Sequence, residues 1–268
     1  IVVPSQDYVS IMIKEGLLRE IDHSKFPNAK YISPLVLSKA TYDPQMKYAV
    51  PYFMGAAGVA VNKEKVPVYE KSWGIFSRPD LADHMSMLDD MREVIGDALK
   101  FQGRSVNTLD DGELAEARNL IVREWKPNLV KFDAEGFGKS FAAGDFWVVQ
   151  GYGEVVYGEV AEEDWGKIDF FIPREGGPMY IDSMCILKTA QNPDLAMKFI
   201  DFMHRPEIYA QFLDFFRFPP GVNTGAGNYM TVEPMYQARE LENCEIKEDL
   251  DAGLEKFNAL WEDIRFSQ

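Results

Sequence analysis

Strand-like and helix-like segments alternate along this sequence, and this alternation constrains the fold more than any other feature. Short apolar runs predict strands, and amphipathic stretches predict helices. The predicted strands lie at residues 1–3, 46–61, 146–149, 168–172 and 180–187, and the predicted helices at 7–15, 90–101, 110–125, from 192 and from 250. Such alternation indicates an α/β protein with largely parallel sheets. Because no flexible linker divides the chain, two lobes would have to be joined by strands that cross between them.

The helix predicted from residue 192 has a well-marked start. Asn192-Pro193 places a capping side chain before a proline at the first helical position, which favours a helix N-terminus. Leu195, Phe199 and Phe202 then recur at helical spacing. We therefore expect these three side chains to face the core.

The charge balance of the chain is strongly acidic. The sequence contains 43 Asp and Glu against 28 Lys and Arg, which gives a formal net charge of −15 at pH 7. A chain with this charge repels a phosphate backbone and attracts cations to any acidic cleft. The balance therefore disfavours nucleic acid as a partner and is compatible with a cationic ligand.

Cysteine and histidine are scarce. Two Cys and three His are far apart in the sequence, and none of the five forms a local metal-binding motif. Cys185 lies in an apolar run, so we expect a free, buried thiol rather than a disulfide with Cys244. The sequence contains no nucleophile elbow and no dinucleotide fingerprint. We therefore predict no metal, no cofactor and no catalysis.

An acidic cluster at residues 89–93 has two interpretations. Asp90 precedes a predicted helix and Glu93 follows three residues later, which is the pattern of a capping box. Alternatively, both carboxylates point from the helix N-terminus into a cleft and bind an ammonium group. The two roles are partly compatible, since one oxygen of a carboxylate can cap the helix while the other contacts a ligand.

Asp182 and Tyr152 are further candidates, and each also has a purely structural interpretation. Asp182 lies among apolar and aromatic neighbours, where it is either a turn former or buried ion-pair partner, or an anionic contact beside an aromatic wall. Tyr152 stands between Gly151 and Gly153, which permit a close approach of the backbone. A position in the core or in a turn also accounts for this tyrosine.

Four segments of the sequence, by their order along the chain and their spacing, together resemble one family. The more specific ones are Asp-Asp-x-Arg-Glu at 89–93 and Gly-Gly-x-x-Tyr-x-Asp-Ser at 176–183, and the others are Val-Val-Pro-Ser at 2–5 and Phe-Pro at 218–219. Over essentially its whole length the chain resembles the periplasmic spermidine/putrescine-binding proteins of polyamine ABC transporters. The resemblance implies a type II periplasmic binding protein fold, with two α/β lobes and a ligand cleft between them, and a binding function without catalysis.

The resemblance also implies roles for residues in the cleft. Asp90 and Glu93 are similar to the pair that binds one terminal ammonium of the polyamine, and Asp182 is similar to the carboxylate that binds another amine. The other expected cleft residues are the aromatic box of Tyr152, Tyr180 and Phe218 and the hydroxyl of Ser5. A flexible, multiply charged rod needs separated anions and an apolar channel, and each ring face adds about 0.5–2 kcal/mol of cation–π attraction.

The sequence departs from the family pattern in several places. The family's first strand–helix segment, which should supply one wall of the cleft, is absent, so we expect that residues upstream have been removed or are not included. Tyr152 and Tyr180 stand where many members have Trp. Asp7 stands where an aromatic residue can occur, and it adds an anion. Lys247 falls where a Gln contact is expected; an inward-pointing cation there would repel a polyamine, so a smaller diamine or an altered specificity remains open.

The resemblance also implies an organisation and a partner. We expect lobe one, incomplete at its N-terminus, to comprise residues 1–54 and 181–226, and lobe two to comprise residues 55–180 and 227–268. The protein would capture putrescine or spermidine by hinge closure and deliver it to the membrane permease of an ABC transporter. Its expected location is the periplasm, either free or as a membrane-anchored lipoprotein.

Other interpretations stay open at this point. A protein of the same fold could bind iron, a sugar or an amino acid, and Arg92 could then hold a carboxylate. An enzyme on this fold could use Asp90 and Glu93 as an acid–base pair. Without the N-terminal segment, the chain could also be an incomplete lobe whose exposed sheet edge needs a partner.

Overall fold

Helices and strands alternate through residues 1–267, which are the residues that the computed structural model describes. The α-helices are α1 (Gln6–Lys14), α2 (Pro34–Lys39), α3 (Met91–Phe101), α4 (Asp111–Leu120), α5 (Phe137–Ala143), α6 (Gly153–Glu159), α7 (Pro193–Met203), α8 (Pro206–Phe216) and α9 (Leu254–Phe266). The strands are β1 (Ala49–Ala56), β2 (Gly58–Asn62), β3 (Met85–Met87), β4 (Leu129–Phe132), β5 (Val148–Gly151), β6 (Ile168–Phe171), β7 (Pro178–Cys185) and β8 (Glu245–Ile246).

The chain divides into two units, each with its own set of internal contacts. The first unit consists of Ile1–Gly55, Met179–Ala238 and Ile246–Asp249. The second unit consists of Ala56–Pro178, Arg239–Glu245 and residues 250–267. These units differ from the predicted lobe ranges mainly at residues 227–238, which lie in the first unit. The lobes themselves stay a prediction.

A five-stranded sheet with the order β4-β3-β5-β2-β6 forms the centre of the second unit. β3 pairs in parallel with β4 and β5, whereas β2 pairs antiparallel with β5 and β6. Four strands therefore run in one direction, and β2 runs against them. The sheet is therefore mixed, with two parallel and two antiparallel pairings, rather than largely parallel as predicted; both antiparallel pairings involve β2. This strand follows β1 after the single residue Ala57, so no helical crossover sets its direction.

The core of the second unit lies among the sheet and the buried sides of α3, α4 and α9. Its fully buried large side chains include Trp73, Phe76, Trp125, Phe171 and Phe257. The helix predicted to run as far as Trp125 changes at Leu120, because Ile121–Trp125 forms a π-helical turn. This turn still places Trp125 in the core.

A three-stranded sheet with the order β1-β7-β8 lies in the first unit, apart from one end residue of each strand. The N-terminal residues run beside β7, with antiparallel bridges between Val2 and Cys185 and between Ser5 and Asp182. The predicted strand over residues 1–3 is therefore reduced to a bridge. This arrangement brings Val2 to the end of β7 and Ser5 to its middle.

One predicted packing face is wrong. α7 begins after Asn192 with proline in its first turn, as predicted. However, Leu195, Phe199 and Phe202 are 66%, 47% and 41% exposed. The buried residues of α7 are Ala196, Met197 and Ile200. Apolar residues lie on both sides of this helix, so spacing alone does not identify the side that packs against the protein.

Cys185 is a buried free thiol and forms no disulfide with Cys244, as predicted, and Cys244 is also buried. Within residues 1–267 we find no helix that is both long and apolar enough to span a membrane.

Candidate functional site

Asp90 and Glu93 lie at the N-terminus of α3, in the second unit. Asp90 is the N-cap residue, and its Oδ1 accepts hydrogen bonds from the backbone N–H groups of Arg92 at 2.8 Å and Glu93 at 3.1 Å. Glu93 lies in the first helical turn and is fully buried. The partial positive charge at a helix N-terminus stabilises carboxylates placed there. The capping role predicted for Asp90 is confirmed, and α3 carries two acidic side chains at one end.

Tyr152 brings its hydroxyl to the buried Glu93. It follows β5 directly, and its hydroxyl donates a long hydrogen bond of 3.5 Å to Oε1 of Glu93. Burial raises the pKa of Tyr152, and the negative charges of Glu93 and Asp90 raise it further. The phenol is therefore neutral beside two carboxylates. A Cβ on the preceding Gly151 would lie 2.4 Å from the ring of Phe137, so this approach of the backbone requires glycine.

Two buried polar side chains near Glu93, Gln150 and Asp97, were not predicted. Gln150 on β5 accepts a hydrogen bond of 2.8 Å from the backbone N–H of Leu88 and donates one to Asp97. Asp97 lies one turn beyond Glu93 on α3 and is also fully buried. Gln150 thus fixes the connection from β3 to α3, which carries Asp90. The available signal was a polar residue inside an apolar strand and an Asp among apolar helix positions.

Asp89 and Arg92, in the same acidic cluster, have other partners. Nη2 of Arg265 lies 3.4 Å from Oδ2 of Asp89. Arg92 donates a hydrogen bond of 2.8 Å to Oδ1 of Asn107, and its guanidinium lies 5.0 Å from the ring centroid of Phe257. These contacts engage the arginine that an amino-acid site would need, so the structure does not favour that alternative.

Ser5 and Asp182 meet in the first unit. The Ser5 hydroxyl donates a hydrogen bond of 2.6 Å to Oδ1 of Asp182. Burial raises the pKa of Asp182, and the nearby charge of Asp7 raises it further. The Ser5 hydrogen bond and the positive charge of Lys247 act in the opposite direction. The result is a partly buried carboxylate with its pKa above the ordinary range.

Tyr180, two residues before Asp182 on β7, belongs to an aromatic cluster. Its ring centroid lies 5.7 Å from that of Phe53, which in turn lies 4.2 Å from that of Phe218. Phe53 and Phe218 are buried, and Tyr180 is half-buried. Alternate residues of a strand point to the same side, so Tyr180 and Asp182 share one face of β7. A ring beside a carboxylate is a combination that binds organic ammonium groups.

Gln6 is another residue that the sequence did not indicate. This buried side chain accepts a hydrogen bond of 2.9 Å from the N–H of Ile181 and donates one of 2.8 Å to the carbonyl of Lys247. It therefore ties α1, β7 and the segment after β8 together. The next residue, Asp7, lies in the first turn of α1. No local pattern could reveal Gln6, because one partner is 241 residues away in the sequence.

The predicted site residues thus fall into two sets, one in each unit. The second unit brings together Asp90, Glu93 and Tyr152, and the first brings together Ser5, Asp7, Tyr180 and Asp182, with Phe218 joined to Tyr180 through Phe53. Their roles toward a ligand, and the cleft between the lobes, stay predictions. Across residues 1–267, no group of three or more His, Cys, Asp or Glu side chains is arranged to hold a metal ion.

Comparison with known sequences identifies the family. Residues 1–235 match the family described as bacterial extracellular solute-binding protein. The chain is 33% identical over 220 residues to the spermidine/putrescine-binding periplasmic protein of Escherichia coli. The aligned region covers 82% of this chain and 62% of that protein. The chain is also 32% identical over 214 residues to the putrescine/cadaverine-binding protein of Pseudomonas aeruginosa. This aligned region covers 76% of this chain and 60% of that protein. The chain therefore spans about 60% of the length of these curated relatives.

Comparison with solved structures agrees with this family assignment. The TpPotD lipoprotein of Treponema pallidum superposes with a TM-score of 0.94 at 50% sequence identity, over 99% of this chain and 83% of that chain. The spermidine/putrescine transporter substrate-binding protein of Streptococcus pneumoniae shares the fold, with a TM-score of 0.89 at 24% identity over 98% of this chain and 82% of that chain.

These comparisons confirm the resemblance and the predicted fold class. The α/β fold of periplasmic binding proteins is shared with both solved structures. The matching family consists of solute-binding proteins and not of enzymes, which confirms the prediction of a chain without catalysis. The chain belongs to the bacterial extracellular solute-binding protein family.

Proposed function

We propose that this chain is the substrate-binding component of a polyamine ABC importer, with putrescine or spermidine as its ligand. The observation that carries the proposal is the fully buried Glu93 beside the cap residue Asp90, with the Tyr152 hydroxyl 3.5 Å from the Glu93 carboxylate. Two carboxylates beside a neutral phenol favour a cation and repel an anion. The names of the Escherichia coli and Pseudomonas aeruginosa relatives support the same ligand class.

A second set of residues supports a ligand with more than one charge. Asp182, with the Ser5 hydroxyl on one oxygen, lies on the same face of β7 as the ring of Tyr180. In this proposal Asp182 and Tyr180 bind one amine, while Asp90 and Glu93 bind another. Separated carboxylates suit a flexible diamine or triamine better than a molecule with a single charge.

The proposed location is outside the cytoplasmic membrane, in the periplasm or held on the membrane as a lipoprotein. Relatives named as periplasmic proteins and the lipoprotein TpPotD support both forms. The proposed partner is a membrane permease that receives the polyamine. Deleting the gene in the source bacterium should abolish high-affinity uptake of radiolabelled putrescine or spermidine.

Isothermal titration of the natural protein, with any residues that precede Ile1 included, tests the ligand. The ligands are putrescine, spermidine and, as a control, glutamate. The variant is Asp90→Asn with Glu93→Gln. The matched control is Asp110→Asn, because Asp110 caps α4 in the same way by accepting from the N–H of Glu113 at 2.9 Å.

We expect saturable binding of a polyamine and none of glutamate. The double variant should bind at least about a hundredfold more weakly, since each charge-assisted hydrogen bond contributes roughly 1.5–3 kcal/mol. The Asp110→Asn control should bind as the natural protein does. Unchanged affinity in the double variant would show that Asp90 and Glu93 only cap the helix, and absence of polyamine binding by the natural protein would overturn the proposal.

A further inference from the structure

The three residues proposed to bind an ammonium in the second unit come from two separate segments. Asp90 and Glu93 begin α3, which follows β3, whereas Tyr152 follows β5. β3 and β5 pair in parallel, with Ser86 opposite Val149. The relative position of the carboxylates and the phenol therefore depends on how the two segments are held beyond this pairing.

Gln150 provides a connection beyond the pairing through its side chain. Its Oε1 accepts a hydrogen bond of 2.8 Å from the backbone N–H of Leu88, two residues before Asp90. Gln150 itself lies two residues before Tyr152. One amide side chain thus joins the segment that leads to Asp90 with the segment that leads to Tyr152.

Asp97 holds the other end of the same amide. Nε2 of Gln150 donates a hydrogen bond to Oδ2 of Asp97, and both side chains are fully buried. A rotated amide would set its oxygen against the carboxylate and its N–H group against that of Leu88, so the two partners permit one orientation. Because burial excludes water as a substitute partner, breaking either hydrogen bond is costly.

Asp97 is in turn held between α3 and the main chain at Gly177. It lies one helical turn after Glu93, so both carboxyl groups occur on the same side of α3. A Cβ built on Gly177 would be 2.9 Å from Oδ1 of Asp97, so the carboxylate packs closely against this residue. The charge of Asp97 also acts on Tyr152, whose pKa it raises. The buried pair of Gln150 and Asp97 is therefore linked to both segments of the proposed site.

We infer that Gln150 is a positioning residue of this proposed ammonium site. Its amide, fixed by Asp97, holds the two carboxylates of α3 and the phenol of Tyr152 in their binding arrangement before a ligand binds. The inference rests on the proposed polyamine function. Oε1 and Nε2 of Gln150 are both engaged by protein groups, so this residue acts through its neighbours. A site that is already ordered loses less conformational entropy on binding, which increases its affinity.

Titration of Gln150→Met with putrescine tests this inference, because methionine keeps the length of glutamine and makes neither hydrogen bond. We expect the putrescine Kd to rise at least about tenfold, since the site must then be ordered on binding. A role in folding alone would lower the melting temperature and leave the Kd of the folded protein unchanged.

The matched control is Asn128→Leu, which also removes a buried amide from the second unit. Nδ2 of Asn128 donates hydrogen bonds of 2.9 Å to the carbonyl of Phe76 and 2.7 Å to that of Glu124. Asn128 directly precedes β4, at the opposite end of the parallel strands β3 and β4 from Asp90. This variant should lower the melting temperature and leave the putrescine Kd within about twofold.

A second titration separates positioning from a general loss of structure. In the background of Asp90→Asn with Glu93→Gln, the carboxylates that Gln150 positions no longer carry a charge. Gln150→Met should therefore change the Kd less than about threefold there, against at least about tenfold in the natural background. An equal change in both backgrounds would overturn the inference.

Hydrogen exchange of the ligand-free natural protein tests the same point without any variant. If Gln150 holds the site in advance, the amide of Leu88 exchanges as slowly as the amides of β5 before putrescine is added. Rapid exchange of Leu88 that slows only with putrescine would overturn the inference. If the natural protein binds no polyamine, the proposed function fails and the inference fails with it. If putrescine binds but Gln150→Met leaves the Kd within about twofold, only the inference fails.

Discussion

Gly96 lies so close to Pro178 that a Cβ built on Gly96 would be 2.3 Å from Cγ of the proline. Gly96 is an interior residue of α3, the helix that carries Asp90 and Glu93 at its N-terminus. Glycine is about 1 kcal/mol less favourable than alanine in such a position. The close approach of Pro178, which begins β7, therefore explains a residue that helix propensity alone would disfavour.

Gly96→Ala should lower the free energy of unfolding by about 1–3 kcal/mol, because the added methyl group overlaps the Pro178 ring and α3 must shift. The matched control is Gly158→Ala in α6, where a Cβ would meet nothing within 4 Å. This control should raise the free energy of unfolding by about 0.5–1 kcal/mol. Urea unfolding of both variants gives the comparison, and a stabilising Gly96→Ala would contradict the close packing.

Asp182→Asn should keep or increase stability at pH 7 while weakening ligand binding. The raised pKa of Asp182 means that its ionised form is less favourable in the folded than in the unfolded chain. Its contribution to stability is therefore greatest below the unfolded-state pKa and decreases as the pH rises through the folded-state pKa. Asparagine avoids ionisation and still accepts the Ser5 hydrogen bond.

For the same variant we expect putrescine affinity to fall by about 10–100-fold, since a charge-assisted contact of roughly 1.5–3 kcal/mol is lost. Urea unfolding and titration calorimetry measure the two effects separately. A clear loss of stability at pH 7 would indicate that the charge of Asp182 supports the fold rather than the ligand.

Ligand binding should weaken as the pH decreases into the acidic range. Because burial raises its pKa, Asp182 takes up a proton at a higher pH than an ordinary Asp with a pKa near 3.8. The amines of a polyamine stay protonated throughout this range, so the change comes from the protein. Titrations with putrescine from neutral pH downward should show this decrease, and Asp182→Asn should show a smaller one. Identical pH profiles would assign the decrease to another group.

Tyr152 should act through its ring more than through its hydroxyl. The hydrogen bond to Glu93 is 3.5 Å long and therefore weak, so Tyr152→Phe should reduce putrescine affinity about threefold or less. Tyr152→Leu removes the aromatic face and should reduce affinity by about 3–30-fold, given a cation–π contribution of roughly 0.5–2 kcal/mol. A larger loss in Tyr152→Phe than in Tyr152→Leu would instead make the hydroxyl the ligand contact.

The helix α3 shows what local sequence signals can predict. Its start after Asp90 follows from the capping side chain, and its end at Phe101 precedes Gly103, which has a positive φ of 72°. The burial of Glu93 and Asp97 could not be predicted in this way. It depends on Gln150 and Tyr152, which reach α3 from a separate strand and loop.

The first unit shows the same limit at larger sequence separations. The motif around Asp182 led to the correct family, but the hydrogen bonds of Gln6 join segments that no local pattern relates. The exposed face of α7 was predicted to be its core face, because amphipathic spacing identifies apolar sides of a helix but not which of them is buried. The ligand roles of the eight predicted site residues remain predictions, and the titrations above test those of Asp90, Glu93, Asp182 and Tyr152.

The strand order β1-β7-β8 has a consequence for biosynthesis. β1 and β7 are neighbours in the sheet, although roughly 120 residues separate them in the chain. At ribosomal rates of about 5–20 residues per second, β1 waits on the order of ten seconds for β7 to be made. The five-stranded sheet needs only residues up to Phe171, so its strands are complete earlier. β1 is therefore synthesised before every strand of the five-stranded sheet but belongs to a sheet whose strands are completed later, and an unpaired apolar strand stays exposed on the nascent chain during that interval.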